Sequence, residues 1–158
     1  MLRLAAGGGS TTVGSCGSGS FTDTTASANT AYLYEVRAIA PSISPYSAAD
    51  LATTVIFTDP TLVTNTTVVK AAHFTELRTA VDAVRTLAGQ SGGSYTDLTL
   101  TAGVTVIKAL HLTDLRSALN AARTALLLPP VTYSRPGIVA GTTTISAVDI
   151  NELRSGVR

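Results

Sequence analysis

One ten-residue stretch recurs three times and decides the fold of the C-terminal part of the chain. It reads VKAAHFTELR at residues 69–78, IKALHLTDLR at 107–116 and ISAVDINELR at 145–154. The three copies are evenly spaced without gaps, and the same spacing relates Phe57, Tyr95 and Tyr133. A fixed period of this length is the signature of a repeat architecture. The sequence therefore predicts three units, at residues 57–94, 95–132 and 133–158.

Each unit is predicted to contain a short extended run followed by an amphipathic helix. Apolar residues fall at alternating spacings of three and four along the first two helices, which places one apolar stripe on each. Such stripes favour packing between the units. Gly89 is expected to end the first helix and the pair at 129–130, both proline, the second. Ser146 and Asp149 form the pattern of a capping box at the start of the third helix.

The residues before the repeats, 21–56, alternate as β-strands do. Tyr32 and Tyr34 fall on one face of the first predicted strand, and Leu33 and Glu35 fall on the other. A Pro-rich turn and a second, β-branched strand follow it. Residues 1–20, rich in Gly, Ser and Thr, predict flexible chain or a strand-poor edge. The fold class expected for the whole chain is α+β.

The β segment resembles the end of a fibronectin type III domain, through FTDTT at 21–25, TAYLYEVRA at 30–38 and SPYS at 44–47. The resemblance implies a partial antiparallel β-sandwich in which Tyr32 is the tyrosine corner, its hydroxyl bonded to nearby backbone. A complete domain of this kind has about 100 residues and seven strands. The chain is therefore expected either to be a processed or truncated piece or to take strands from another copy. Its open apolar face must pack on the C-terminal helices or on a partner.

The third unit resembles a dockerin repeat, through ISAVDI at 145–150 followed by Leu153 and Arg154. Dockerins bind calcium through a loop rich in Asp and Asn just before such a helix. The corresponding loop here, VAGTTT at 139–144, has no carboxylate. The resemblance therefore implies helical repeats without calcium ligands. Repeats of this kind are similar to those of secreted bacterial surface proteins, which implies adhesion, anchoring or assembly.

Three ionisable residues at equivalent positions, His73, His111 and Asp149, are the remote candidates for a metal site. Two histidines and a carboxylate are a known ligand set. They could converge only if the units circled one axis, because helices stacked in line are separated by about 10 Å each. The alternative is a first-turn polar residue that caps its own helix. The sequence favours that alternative, so we expect no metal and no cofactor.

An acidic residue and an arginine also recur in every unit. The acids are Glu76, Asp114 and Glu152, and the arginines are Arg78, Arg116 and Arg154. A repeated pair of this kind predicts salt bridges between units or hydrogen bonds from helix to loop. The recurring acids are not assigned as catalytic carboxylates, because nothing in the sequence supplies a matched nucleophile or oxyanion donor.

Composition excludes several classes of function. The net charge of +1 gives no basic surface for nucleic acid, and no apolar stretch of about 18 residues is present to span a bilayer. No serine-hydrolase, phosphate-loop, zinc-protease or haem-attachment motif occurs, so no catalytic residue is assigned. The N-terminus has no visible signal peptide. Asn65 begins a glycosylation sequon, Asn65-Thr66-Thr67.

The sequence therefore predicts a non-enzymatic extracellular or cell-surface structural protein. Its partner is expected to be a second copy, in a self-assembling fibre completed by strand sharing, or another secreted protein. A monomeric secreted module that binds or anchors to a protein or glycan is the alternative, and a His/Asp metal-dependent enzyme is the remote one. Residues 1–56 carry five charges and the remainder 16. The weakly charged segment 1–56 is therefore the expected association surface.

Overall fold

The computed structural model describes all 158 residues and has an α+β fold, in agreement with the sequence. The strands are β1 (Leu2–Leu4), β2 (Ser10–Thr12), β3 (Ala31–Glu35) and β4 (Asp50–Thr53). The helices are α1 (Ala71–Leu87), α2 (Ala109–Ala125) and α3 (Ala147–Gly156). The helices thus begin at equivalent positions of the three units. None of them is long and apolar enough to cross a membrane.

The strands form one antiparallel sheet in the order β2-β1-β3-β4. The central pairing places Arg3 opposite Tyr34 and Leu4 opposite Leu33. The N-terminal segment, expected to be flexible or poor in strands, contributes two of the four strands. The tight turn between them contains Gly7 and Gly8, both with positive φ, which glycine adopts without steric cost. The Gly-rich composition that suggested flexibility therefore serves a hairpin.

The two faces of the sheet have different environments. Ala31, Leu33 and Leu51 are buried and belong to the same hydrophobic core as the helices, and β3 and β4 both contact α1. The opposite face carries Tyr32 and Tyr34. Of the two covers expected for the apolar face, helices or a partner, the protein uses its own first helix. This packing joins sheet and helices around one core, since side chains from both enter it.

The helix ends follow the sequence signals with one exception. Gly89 follows the end of α1 with φ = 71°, the left-handed conformation in which glycine commonly ends helices. The equivalent position of the second unit is occupied by Leu127, which adopts the same conformation with φ = 60°. A side chain with a Cβ makes this conformation costly, by about 1–2 kcal/mol. The end of α2 is therefore strained where the end of α1 is relaxed.

The three helices pack against one another in all three pairs, so the units close into a ring. The core of the ring consists of the apolar stripes that the sequence predicts for α1 and α2, together with apolar residues in and directly after α3. Its fully buried members are Phe74, Leu77, Ala80, Val81, Val84, Leu112, Leu115, Leu119, Ala122, Ile150, Leu153 and Val157. An open stack would leave the first and third helices apart, whereas a ring buries the stripe of each helix against both others.

Candidate functional site

The arginine of the first unit binds the loop of the second. The guanidinium of Arg78 donates hydrogen bonds to the backbone oxygens of Thr96 at 2.6 Å, Asp97 at 3.0 Å and Leu98 at 3.1 Å. It also lies over the ring of Tyr95, with Cζ 5.0 Å from the centroid. One buried side chain thus holds the next unit by a fork of donors and by a cation–π contact.

The arginine of the second unit holds the third in the same way and adds an ion pair. Arg116 donates to the backbone oxygen of Arg135 at 2.7 Å and lies 4.2 Å from the ring centroid of Tyr133. It also donates to Oδ1 of Asp149 at 2.9 Å, and Asp149 is fully buried. The second junction is therefore the one in which an arginine meets a buried carboxylate.

The arginine of the third unit returns to the first and closes the ring. Arg154 donates to the backbone oxygens of Thr58 and Asp59, both at 2.8 Å, and lies 4.6 Å from the ring centroid of Phe57. Its partners lie about 95 residues earlier in the chain. Burial lowers the pKa of Arg154, because water no longer solvates the charge fully. The sequence indicated the arginines and the aromatics separately, and only the ring brings them together.

The recurring acids lie beside these contacts and are occupied by backbone groups. Glu76 accepts from the N–H of Thr58 at 3.0 Å, and the other two acids accept from the equivalent N–H groups of their own units. Two acids also approach an arginine of the neighbouring unit, Glu76 to Arg154 at 3.6 Å and Glu152 to Arg116 at 3.7 Å. Both kinds of contact predicted for the acid/arginine pairs, ion pairs and helix-to-loop hydrogen bonds, are present.

The two histidines cap their own helices. Nδ1 of His73 accepts from the backbone N–H of Lys70 at 3.2 Å, so its Nε2 carries the proton and donates to Oδ2 of Asp59, also at 3.2 Å. The second unit repeats this arrangement with His111. The hydrogen bond from Nζ of Lys70 and then the one from His73 lower the pKa of Asp59. Both ring nitrogens are engaged, which leaves neither lone pair nor proton for a substrate.

The third unit reverses the charges of this cluster. Arg135 stands where the first two units have aspartate, and Asp149 stands where they have histidine. Asp149 accepts from the backbone N–H of Ser146 at 2.9 Å and from Arg135 at 2.6 Å. The capping geometry is thus preserved while acid and base exchange places. The carboxylate of Asp149 becomes available to Arg116 because its second oxygen faces the second unit.

The remote metal site is not formed. His73, His111 and Asp149 lie on three helices around one ring, the arrangement that convergence requires, but each side chain is bound to the loop of its own unit. No group of three or more His, Cys, Asp or Glu side chains in the chain is placed to hold a metal ion.

A cavity of about 710 Å³ lies where the segments that lead into the three helices meet. At equivalent positions, each unit contributes a pair of adjacent residues to its wall, Val68 and Val69, Val106 and Ile107, Thr144 and Ile145, and the third unit adds the rest of its loop, residues 140–143. Val68 and Val106 are each 75% exposed, so the first two units bring apolar side chains to the mouth of the cavity, while the third unit brings the hydroxyl groups of its threonines. The sequence did not indicate this cavity. The sequence does show an apolar residue before each helix. That these residues line one cavity follows only from the closure of the ring.

The outer face of the sheet holds a second polar cluster. The hydroxyl of Tyr32 accepts from the backbone N–H of Ser27 at 2.9 Å, and the Arg3 guanidinium lies over the Tyr32 ring at 4.7 Å. Hydrogen bonds from the Thr25 hydroxyl and backbone, together with those from Tyr34 and Arg3, lower the pKa of Asp23 to about 2. The cluster ties the loop at 23–27 to the sheet. Tyr32 thus bonds back to the backbone five residues upstream.

The sequon asparagine, Asn65, is exposed in a turn with φ = 63°, beside the cavity. Comparison with known proteins does not add to these observations. No family model matches the chain, and no curated protein or solved structure matches it at a significant level.

Proposed function

We propose that the protein is a non-enzymatic extracellular structural subunit that assembles with copies of itself by strand sharing at the sheet edge. The observation that carries this proposal is strand β2. It forms one edge of the sheet, and all three of its residues are exposed. An edge strand without charge, proline or bulge is a template for pairing with another strand. Ser10, Thr11 and Thr12 provide no charge, proline or bulge, and the short length of the strand, three residues, is its one protection.

The hydrogen-bonding direction of this edge supports pairing. Gly9 accepts from Ala5, and Val13 donates to Met1, so both face β1. Since backbone groups alternate along an antiparallel strand, the N–H and C=O groups of Ser10 and Thr12 point away from the sheet. They are available to a strand of a second copy. The opposite edge of the sheet, β4, is the complementary surface for head-to-tail pairing.

The ionisable residues that recur in the repeats support a structural role. The arginines, acids and histidines are all engaged in contacts within or between the units, which stabilise the ring. The resemblance of residues 21–56 to fibronectin type III domains and that of the repeats to dockerins support an extracellular setting. Low charge, at 13% of residues, also weakens repulsion between copies.

Substitution of the edge residue Thr12 tests the proposal. Thr12→Pro removes an outward N–H without affecting a hydrogen bond to β1 and should abolish filaments seen by negative-stain electron microscopy. Thr12→Val keeps this N–H and should assemble as the unmodified protein does. Filaments that persist in Thr12→Pro, or a protein that is monomeric at high concentration without substitution, would refute assembly at this edge.

The cavity at the helix entries favours one alternative, a monomeric module that binds a protein or glycan of a secreted partner. Its volume lies in the range of ordinary ligand sites, and its wall combines valines and isoleucines with hydroxyl groups. Val106→Arg would place a charge at the mouth of the cavity. Loss of binding to an immobilised glycan or surface-protein panel in this variant, from a monomeric parent, would favour the module over the fibre.

A further inference from the structure

The third unit is attached to the rest of the chain by one strained connection. Leu127, just after α2, has φ = 60° and is 94% exposed, so its side chain gains no packing in return for the unfavourable backbone. The first unit has Gly89 at the equivalent position, where the same conformation costs little. Strain at an exposed hinge is relieved when the hinge opens, and strained hinges favour exchange of the element that follows them.

Two prolines prevent the opened hinge from becoming a continuation of α2. Pro129 and Pro130 follow Leu127 directly after one leucine, and α2 cannot continue through them because they lack the N–H that a helix requires. A residue before proline is biased toward extended backbone. An opened hinge is therefore extended rather than helical, which carries the third unit away from its own ring.

The contacts of the third unit are the same whichever copy supplies them. Asp149 of the third unit accepts a hydrogen bond from Arg116. Arg154 donates to the first unit, and the side chain of Asn151 donates to the backbone oxygen of Leu62 at 2.9 Å. Arg123 of the second unit binds the backbone oxygen at the end of α3 at 2.6 Å. All of these partners precede the hinge. A second copy whose third unit has left presents the complete set.

We propose that residues 128–158 exchange between copies of this chain, with Leu127 as the hinge residue. The hydrogen bonds of Pro129 with Arg123 and of Val131 with Asn120 are then also made between copies. The partner is a second copy, and the surface it fits is the vacated side of the ring formed by the first two units. Reciprocal exchange gives a dimer and head-to-tail exchange gives a chain of copies. This exchange does not depend on pairing at strand β2, so either assembly can occur without the other.

Crosslinking between differently labelled chains tests the exchange. In a Cys16→Ser background, one chain carries Thr61→Cys, next to Leu62, and the other carries Asn151→Cys. The two are mixed in denaturant, refolded together and treated with a short bis-maleimide. The expected product is a covalent dimer of the two chains. A control pair, Thr61→Cys with the exposed Ser91→Cys, should give only background dimer, and equal yields from the two pairs would overturn the proposal.

A hinge variant supplies a readout that does not need cysteines. Leu127→Gly relieves the strain in the closed ring and should lower the refolded dimer fraction about tenfold, measured by size exclusion with light scattering. Ile43→Gly removes an exposed apolar side chain, at 68%, from the loop between β3 and β4 and should leave the fraction unchanged. Equal effects of the two variants, or only monomer in the refolded Cys16→Ser chain at high concentration, would refute exchange at Leu127. Dimers that vanish only in Thr12→Pro would assign the assembly to the sheet edge instead.

Discussion

Removing the guanidinium that closes the ring should destabilise the whole helical part of the protein. In Arg154→Ala, the backbone oxygens of Thr58 and Asp59 lose their donors, and Phe57 loses the cation above its ring. Arg154 is only 2% exposed, so water cannot replace these contacts without opening the junction. The other two arginines remain in place. The variant therefore isolates closure from the junctions between consecutive units.

The magnitude follows from these contacts. Two hydrogen bonds from a charged donor contribute about 1.5–3 kcal/mol each, and the cation–π contact about 0.5–2 kcal/mol. Part of this gain is offset by the cost of burying the charge, the same cost that lowers the pKa of Arg154. The expected net loss is about 3–4 kcal/mol, a large share of the roughly 5–15 kcal/mol that stabilises a typical domain.

Urea unfolding followed by far-ultraviolet circular dichroism measures this loss. With a slope of about 2 kcal/mol/M, the midpoint should fall by about 1.5–2 M. Arg158→Ala, which removes an exposed arginine four residues later, is the control and should change the free energy of unfolding by less than about 0.5 kcal/mol. A midpoint in Arg154→Ala equal to that of the control would refute the stabilisation of the ring by this side chain.

Three further substitutions or titrations test other parts of the ring. Asp149→Asn leaves Arg116 and Arg135 facing a neutral side chain and should lower the free energy of unfolding by about 3–5 kcal/mol in the same urea assay. A loss below about 1 kcal/mol would contradict the role of this buried ion pair. Burial raises the pKa of Tyr133 to about 12, so the contribution of Tyr133 to the free energy of unfolding should be constant below pH 10 and decrease as the pH rises from 10 to 12, because the unfolded chain releases that proton first. Tyr133→Phe should make the alkaline decrease shallower without abolishing it, since burial also raises the pKa of Tyr95, and a profile of unchanged slope would contradict the assignment. Leu127→Gly should raise the melting temperature of the monomer by about 2–4 °C, since it removes about 1 kcal/mol of backbone strain, and a lowered melting temperature would contradict that strain.

The helices were predictable because their information is local. The apolar spacing, Gly89 and the capping pair Ser146 and Asp149 each act within one or two turns, and the fixed period repeats the evidence three times. The strands β3 and β4 were predictable for the same reason, through alternation. The strands β1 and β2 were not, because three-residue strands beside a Gly-rich turn carry almost no periodic signal. Their place in the sheet depends on pairing with β3, which is distant in the sequence.

The contacts of the repeated residues were harder to predict than their presence. The sequence shows that Arg78, Arg116 and Arg154 are equivalent, but it does not show that the third of them reaches the first unit. That contact depends on the curvature of the array of helices. The curvature accumulates from small differences in helix packing, and no single position in the sequence encodes it. The cavity was missed for the same reason. The aligned units show that Arg135 replaces Asp97, but they do not show that Asp149 binds Arg116 of the second unit.

The closed ring also fixes how many units the protein can have. An open solenoid gains or loses repeats easily, because each unit contacts only its neighbours and the ends remain free. Here the last unit binds the first, so a fourth unit inserted between them would separate Arg154 from Phe57. Deleting a unit would bring Arg135 and Asp149 against the wrong neighbour. Duplication within such a gene is therefore constrained to the whole ring, and diversity is expected in the loops between the helices.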